Sequence, residues 1–277
     1  MTTHNKVWFV TGTSSGFGRN IAEEAIARGD RVIATARDPR TLEDLVQLAP
    51  ERVLALKLDV TKPEQIRDAV HAAYARFGAI DVLVNNAGFS IVGAVEETSD
   101  EELRATMETM FFGAAALTRA VLPGMRERES GSIVQITSVG GLITAPGFGP
   151  YCAAKHALEA YSEALSAEVA PLGIRIVIVE PGAFRTSLFG AGFRTMPELP
   201  AYAGSVGPTR RYVVESASKQ PGNPVKAARA IADAVAAGAP TLRLPLGADA
   251  VSSIRAKLAQ VASDIDRSEN IAVATAH

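Results

Sequence analysis

Short runs of Val, Ile and Leu alternate along the chain with longer stretches in which apolar residues recur every three or four positions. Such runs are typical of strands buried on both faces of a parallel sheet, and the longer stretches are typical of connecting helices. Six runs are interpreted as strands, with a seventh possible at 241–244: residues 6–10, 31–34, 53–57, 82–85, 132–137 and 175–180. The pattern predicts a doubly wound α/β fold with helices on both faces of the sheet.

The stretch 64–77 shows the helical pattern most clearly. Its apolar residues follow three- and four-residue steps, at Ile66, Ala69, Val70, Ala73 and Phe77. This spacing predicts an amphipathic crossover helix between two parallel strands. We expect the Thr61 hydroxyl to cap its start and Gly78 to end it.

The pattern changes after residue 180. Residues 181–224 are rich in Gly, Pro and aromatic side chains, which predicts an irregular stretch before a helix at 225–237. Long irregular stretches often form lids, so 187–224 is interpreted as a substrate-binding loop within one domain of residues 1–277. A helix is expected near 251–261, followed by a polar end that frays.

Composition narrows the class of protein. The net charge is −2 and the basic residues are scattered, so a nucleic-acid partner is not expected. The single cysteine, Cys152, cannot form an internal disulfide, and no export segment is recognised, which favours a cytoplasmic location. The apolar runs are too short to cross a bilayer, and the 4 histidines lack the spacing of metal ligands, so neither membrane nor metal binding is predicted.

The first predicted strand leads directly into the turn Thr11-Gly12-Thr13-Ser14-Ser15-Gly16-Phe17-Gly18, which an apolar-periodic helix follows. A pyrophosphate needs close backbone approach and free N–H groups at a helix N-terminus, which this turn supplies. A Gly-rich turn without a ligand is the alternative interpretation. The spacing differs from G-x-G-x-x-G and the Walker lysine is missing, so nucleotide hydrolysis is disfavoured.

The end of the second predicted strand bears on the choice of nicotinamide cofactor. An acidic residue there would bind the adenosine ribose and repel a 2′-phosphate, but the position holds Ala36, and Arg37 follows. A guanidinium can bind a phosphate through two charge-assisted hydrogen bonds. The hypothesis is NADP(H) in preference to NAD(H); the alternative is that Arg37 is a solvated charge beside Asp38.

Three side chains suggest proton-transfer chemistry. Tyr151 and Lys155 are four residues apart on a predicted helix over 152–170, so they share one face. A nearby ammonium, together with the positive nicotinamide, would favour the phenolate of Tyr151 and let it act as acid and base. Ser138 follows a buried strand, where its hydroxyl could polarise a substrate oxygen.

These residues resemble the short-chain dehydrogenases/reductases, which combine a T-G-x-x-x-G-x-G turn with a serine and Y-x-x-x-K. The resemblance spans roughly residues 6–186. It implies a Rossmann-type, mainly parallel sheet of seven strands and hydride transfer between a nicotinamide and a carbonyl or secondary alcohol. It also implies a homodimer or homotetramer, assembled through helices at about 100–125 and 151–170.

The resemblance further implies the cofactor pocket. Asn85-Asn86-Ala87-Gly88 is similar to the family's N-N-A-G segment, Asp59 to its adenine-contacting acid, and Pro181, Gly182 and Thr186 to P-G-x-x-x-T beside the nicotinamide. Lys155 would also bind the nicotinamide ribose. The expected cofactor-binding residues are Gly12, Ser14, Ser15, Gly16, Phe17, Gly18, Arg37, Asp59, Val60, Asn86, Ala87, Gly88, Tyr151, Lys155, Pro181, Gly182 and Thr186.

One position departs from the family pattern. Where the family usually has N-F-F-G, with an asparagine that supports the proton relay, this chain has Met110-Phe111-Phe112-Gly113. A thioether cannot donate the hydrogen bonds of an amide, so reduced turnover is expected. The alternative function is an NADP(H)-binding regulatory or interaction protein that has lost turnover. A Ser–Lys hydrolase is disfavoured because no G-x-S-x-G elbow surrounds Ser138.

The substrate is expected to be a fairly apolar small-molecule carbonyl or alcohol. Several apolar residues fall on segments that could border the nicotinamide: Phe89, Leu142, Ile143, Phe148, Phe184, Leu188 and Phe189. Core packing is the alternative role for these side chains. Cys152 beside Tyr151 is interpreted as a small buried filler rather than a reactive thiol.

Overall fold

The structure is a computed structural model that describes residues 5–189, 193–217 and 219–275. Within these residues the strands are β1 (Val7–Thr11), β2 (Arg31–Ala36), β3 (Val53–Lys57), β4 (Val82–Asn85), β5 (Ser90–Val92), β6 (Gly131–Ile136), β7 (Ile174–Pro181), β8 (Phe193–Thr195) and β9 (Arg243–Leu246). Seven of them form one sheet in the order β3-β2-β1-β4-β6-β7-β9, and every neighbouring pair is parallel. The predicted seven-stranded parallel sheet is confirmed.

The described helices are α1 (Gly16–Ala27), α2 (Glu43–Leu48), α3 (Pro63–Phe77), α4 (Asp100–Met107), α5 (Gly113–Glu127), α6 (Gly149–Val169), α7 (Gly207–Ser216), α8 (Pro224–Ala236) and α9 (Ala248–Val273). A π-helical turn, Glu108–Phe112, joins α4 to α5. None of these helices is long and apolar enough to cross a membrane.

Two apolar layers cover the sheet because successive side chains of a strand point to opposite faces. On β1, Trp8 and Val10 pack into the layer that contains α1 and α8. Val7 and Phe9 pack into the other layer, with α3, α5 and α6. This sandwich fixes the carboxyl ends of the strands at one edge, where the loops can meet a ligand.

Some helix boundaries differ from those that the sequence predicts. Gly78 ends α3 in the left-handed conformation, as predicted, but the N-cap is Lys62 and makes no side-chain hydrogen bond. The Thr61 hydroxyl instead donates to Asp59, 2.8 Å away. The carboxylate competes for the hydroxyl, so the predicted cap is wrong.

The region 181–224 is more ordered than the sequence predicts. It contains α7 and the short strand β8, which pairs in parallel with β5 in a separate two-stranded sheet. Residues 190–192 and 218 of this region lie outside the described part of the chain. At the end of the chain, the predicted helix is also longer, because α9 continues to Val273.

Candidate active site

The glycine turn joins β1 to α1 at the carboxyl edge of the sheet. Gly12 and Gly16 have φ values of +69° and +60°, in the left-handed region that a residue with a side chain rarely adopts. A Cβ atom at Gly18 would overlap the carbonyl oxygen of Gly12 and the side chain of Asn86. The three glycines therefore allow the chain to turn sharply and to pack tightly beneath the turn.

The same turn suits a pyrophosphate. No side chain caps the N-terminus of α1, whose first N–H groups face the loop, and the side chains of Ser14 and Ser15 are exposed. The Ser15 hydroxyl lies 2.8 Å from the hydroxyl of Ser187, and a Cβ at Gly16 would lie 3.5 Å from Cβ of Thr186. The turn and the segment after β7 thus form two sides of one cleft.

Phe17, in the first turn of α1, packs against Phe184. The two ring centroids are 5.1 Å apart, with the rings tilted by 58°. The Phe184 ring therefore lies against the first turn of α1. The aromatic pair instead ties the segment after β7 to the glycine turn.

The N-N-A-G segment holds the turn in place from the neighbouring strand. Asn86 Nδ2 donates to the carbonyl oxygen of Thr11 at 2.8 Å, and the Ala87 N–H donates to the Thr11 hydroxyl at 2.9 Å. One residue earlier, Asn85 Nδ2 donates to Gln135 and Thr118. The segment therefore connects β1, β4, β6 and α5, while Gly88 at its end is exposed.

The residues expected near the adenosine lie at the ends of β2 and β3. Arg37 is exposed and pairs with no carboxylate among the described residues. Asp38 is occupied by Arg40, whose Nη2 lies 2.7 Å from Oδ2, and this pair lowers the pKa of Asp38. Asp59 accepts hydrogen bonds from Thr61, and Val60 is buried against Gly113.

The P-G-x-x-x-T segment follows β7 directly. Pro181 is the last residue of the strand, and a Cβ at Gly182 would overlap the carboxylate of Asp249. That carboxylate accepts a hydrogen bond from the N–H of Ala183 at 2.7 Å. The first turn of α9 therefore fixes the backbone of the segment, and Thr186 is left facing the glycine turn.

Ser138 and Tyr151 meet beyond the end of β6. Ser138 begins a short 3-10 turn and its hydroxyl accepts a hydrogen bond from the N–H of Gly140, at 3.0 Å. Tyr151 lies in the first turn of α6, which starts three residues before the predicted helix. Burial raises the pKa of Tyr151 to about 12, and a hydrogen bond with the Ser138 hydroxyl opposes that rise.

Lys155 lies one turn further along α6. Its Nζ is 5.8 Å from the centroid of the Tyr151 ring and donates a hydrogen bond to the carbonyl oxygen of Ile136, at 2.8 Å. Burial lowers the pKa of Lys155 to about 8. The two side chains share one face as predicted, but the protein alone does not produce the expected lowering of the phenol pKa.

The sequence analysis did not predict a group of charged side chains that lies next to Lys155 on α6. Arg243 of β9 lies between two buried carboxylates, 3.2 Å from Glu159 and 2.9 Å from Glu180, and also contacts Glu163. Burial raises the pKa of Glu159, and burial raises that of Glu180 to about 7. The i, i+4, i+8 spacing of Lys155, Glu159 and Glu163 is the only sequence signal for this group, and it is common on ordinary helices.

Apolar side chains pack against Tyr151. Met110 and Met196 join Ile91 and Cys152 in a cluster with the phenol, and the Phe148 ring is 6.3 Å from the Tyr151 ring. Met110 is 2% exposed. Of the apolar residues expected to border the substrate, Phe148 lies beside Tyr151, Phe89 lies beneath Arg194, and the side chain of Phe189 is outside the described structure.

An ion pair holds the segment after β8 against the apolar cluster that contains Tyr151. Arg210 of α7 lies 2.6 Å from Glu97 and donates to the carbonyl oxygen of Met196, at 2.9 Å. Glu97 also accepts hydrogen bonds from the N–H groups of Leu199 and Ala94, which with Arg210 lower its pKa. Met196 is thereby held against the cluster that contains Tyr151.

Residues 6–197 match the short chain dehydrogenase family. This chain belongs to that family. It is similar to a solved short-chain dehydrogenase from Streptomyces avermitilis, with 52% identity and a TM-score of 0.93 over 99% of this chain and 100% of that one. It is also 39% identical to the oxidoreductase BOA17 of Botryotinia fuckeliana, over 94% of this chain and 95% of that protein. A third relative is a 3-ketodihydrosphingosine reductase of Bacteroides thetaiotaomicron, 37% identical over 87% of this chain and 88% of that protein.

Family membership fixes the class of chemistry. The chain is an oxidoreductase that uses a nicotinamide cofactor and acts on a CH–OH or C=O group of a small molecule. The residues of the cleft fit such a group, because the glycine turn leaves a cradle that a side chain would fill and the uncapped start of α1 offers N–H donors to its phosphates.

Proposed function

We propose that this short-chain dehydrogenase transfers hydride between NADP(H) and an apolar carbonyl or secondary alcohol, with Tyr151 as the acid and base. The observation that carries the proposal is the convergence of Ser138, Tyr151 and Lys155 beside the cofactor cleft. The bound nicotinamide would supply or accept the hydride. The protein would orient the substrate and move one proton at the Tyr151 hydroxyl.

Each of the three side chains has a distinct task in this proposal. Tyr151 Oη donates a proton to the carbonyl oxygen in reduction and accepts it in oxidation. Ser138 donates a hydrogen bond to the same oxygen and so polarises the C=O bond. Lys155 places a positive charge 5.8 Å from the centroid of the Tyr151 ring, where it would stabilise a phenolate formed during the reaction.

The preference for NADP(H) rests on Arg37. Its guanidinium is exposed beside the end of β2 and has no acidic partner among the described residues, because Asp38 is bound to Arg40. Because Arg37 is not paired with Asp38, its guanidinium is free to bind a phosphate. A 2′-phosphate would receive up to two charge-assisted hydrogen bonds from it.

The preference for an apolar substrate rests on the cluster beside Tyr151. Ile91, Met110 and Met196 present hydrocarbon and thioether surface, and the nearest aromatic side chain is Phe148. Unbranched methionine side chains adapt to ligands of irregular shape. The similarity to a 3-ketodihydrosphingosine reductase supports a ketone that carries a long hydrocarbon chain.

The experiment combines cofactor titration with turnover. NADPH and NADH are titrated into the protein, and a panel of short and long-chain ketones is screened for oxidation of the bound cofactor. The Tyr151→Phe variant is expected to bind NADPH normally and to lose about 10²- to 10⁴-fold in kcat. Tyr161→Phe, on the same helix but packed against Phe111, is the matched control. Equal turnover in the Tyr151 variant and its parent would refute the assigned role.

A second candidate is an NADP(H)-binding regulatory protein, and Met110 is the observation that favours it. The thioether fills the position at which the family places an amide, and its side chain contacts Gly88 and the cluster around Tyr151. Tight NADPH binding without turnover of any ketone or alcohol would support this candidate. Measurable turnover that depends on Tyr151 would exclude it.

A further inference from the structure

Most of α9 has no partner within the described chain. The helix runs from Ala248 to Val273, and Ala250 near its start is its one buried side chain. From Leu258 to Thr275 every residue is exposed. Helices that lack tertiary packing are marginal in water at this length, so an unpartnered segment of about 24 Å requires an explanation.

An apolar stripe runs along this exposed helix. Its members follow alternating three- and four-residue steps: Val251, Ile254, Leu258, Val261 and Ile265. Leu258 and Ile265 are each 61% exposed, although both are large and apolar. A repeat of 3.5 residues forms the narrow seam by which two helices pack side by side, whereas a helix on a globular core usually has a wider apolar face.

The charged residues that flank the stripe are basic in the first half of the helix and acidic in the second. Arg255 and Lys257 flank its first half, and Asp264 and Glu269 flank its second half. Asp264 also pairs with Arg267 on its own helix. A helix with this division of charge complements a second copy of itself that runs in the opposite direction.

We infer that α9 is a docking surface for α9 of a second copy of this chain, in an antiparallel pair. One register pairs the apolar positions and also brings one charged pair together. Ile254 packs against Ile265 of the second copy and Leu258 against its Val261. Lys257 then lies close to Asp264 of the second copy. Two-fold symmetry repeats every contact, as expected of a self-complementary interface.

The chemistry of the helix favours a protein partner over a lipid surface. Interfacial membrane helices carry mainly Lys and Arg on the polar face. Here Asp264, Asp266 and Glu269 lie in the exposed second half of α9 and would be repelled by anionic lipid. The narrow apolar seam also offers less area than the broad face that inserts into a bilayer.

The first test measures mass by sedimentation velocity across a range of protein concentrations. Leu258→Glu is expected to halve the mass of the largest assembly, to monomer from dimer or to dimer from tetramer. Ser263→Glu, which places the same charge on the opposite side of α9, is the matched control and is expected to leave the mass unchanged. Circular dichroism and NADPH binding check that both variants fold, which the exposure of both positions favours.

A charge exchange tests the direction of pairing. Lys257→Glu and Asp264→Lys should each weaken the association about tenfold, and the double variant should recover it, because each reversed charge again faces its opposite. Equal mass of the parent and Leu258→Glu would overturn the proposal, as would a double variant no tighter than the single ones. Unchanged mass with loss of binding to anionic phospholipid vesicles in Leu258→Glu would assign the stripe to a lipid surface instead.

Discussion

Glu159 lies one helical turn after Lys155 on α6, and its negative charge raises the pKa of the lysine against the lowering that burial causes. Both side chains are nearly inaccessible, with 5% of Lys155 and 3% of Glu159 exposed. Gly141 makes room for this arrangement, because a Cβ atom there would lie 2.8 Å from the Glu159 side chain. The carboxylate thus helps to keep Lys155 charged beside Tyr151.

The Glu159→Gln variant should shift the pH dependence of activity. The Glu159 charge raises the pKa of Lys155, whereas burial lowers it to about 8. Without that charge, the pKa of Lys155 should fall further. If the charged lysine is the active form, activity in the variant is lost at a lower pH than in the parent. The pH profile of kcat/KM measures this shift. Glu163→Gln, one turn further and half-exposed, is the control, and equal shifts in the two variants would count against a specific role for Glu159.

The Glu180→Gln variant should remove a pH dependence of stability. Burial raises the pKa of Glu180 from an ordinary 4.5 to about 7, so the folded state holds a proton that the unfolded state releases between these values. Stability therefore falls as pH rises through this window, by on the order of 3 kcal/mol for this group.

Urea denaturation of parent and variant at pH 5 and pH 8 checks that sign. The parent should lose more stability between the two values than Glu180→Gln, whose amide cannot ionise. Glu198→Gln is the control, because Glu198 is 71% exposed and lies 3.8 Å from Arg210 rather than in the buried group. If the free energy of unfolding changes equally between pH 5 and pH 8 in the parent and in Glu180→Gln, the pKa of Glu180 is not raised.

The Arg37→Asp variant should reverse the cofactor preference. Removing a charge-assisted pair of hydrogen bonds costs about 1.5–3 kcal/mol, which corresponds to about 10- to 100-fold weaker NADPH binding. The new carboxylate can instead accept hydrogen bonds from the ribose of NADH. Fluorescence titration of both cofactors measures the ratio. Arg67→Asp on the exposed face of α3 is the control for net charge, and an equal change of ratio in both variants would refute the role of Arg37.

The strands and the glycine turn were predictable because local features determine them. Buried parallel strands need continuous apolar runs, and every predicted strand is present within a few residues of its predicted ends. The turn from Gly12 to Gly18 was predictable because the left-handed conformation and the close packing restrict these positions to glycine. In such cases the residue type itself reports the backbone requirement.

The charged group beside Lys155 was not predictable because its members come from α6, β7 and β9, which are distant from one another in the sequence. Glu159 and Arg243 are 84 residues apart in sequence and meet only when β7 and β9 pair. The helix α7 was not predicted for a related reason. The helix α7 starts at Gly207 and Pro208. Its position depends on the ion pair between Arg210 and Glu97, which are 113 residues apart in the sequence. Neither contact leaves a periodic pattern in the sequence.

The Met110→Asn variant should raise turnover. Met110 lines a small cavity that also contacts Lys155, Asn85 and Thr109, so an amide placed there would lie among polar groups and could take part in proton transfer near Lys155. One added hydrogen bond of about 1 kcal/mol in the transition state corresponds to a roughly fivefold higher kcat. Met107→Asn, on the preceding turn, is the control for added polarity. A folded Met110 variant with unchanged or lower kcat would show that the thioether causes no deficit.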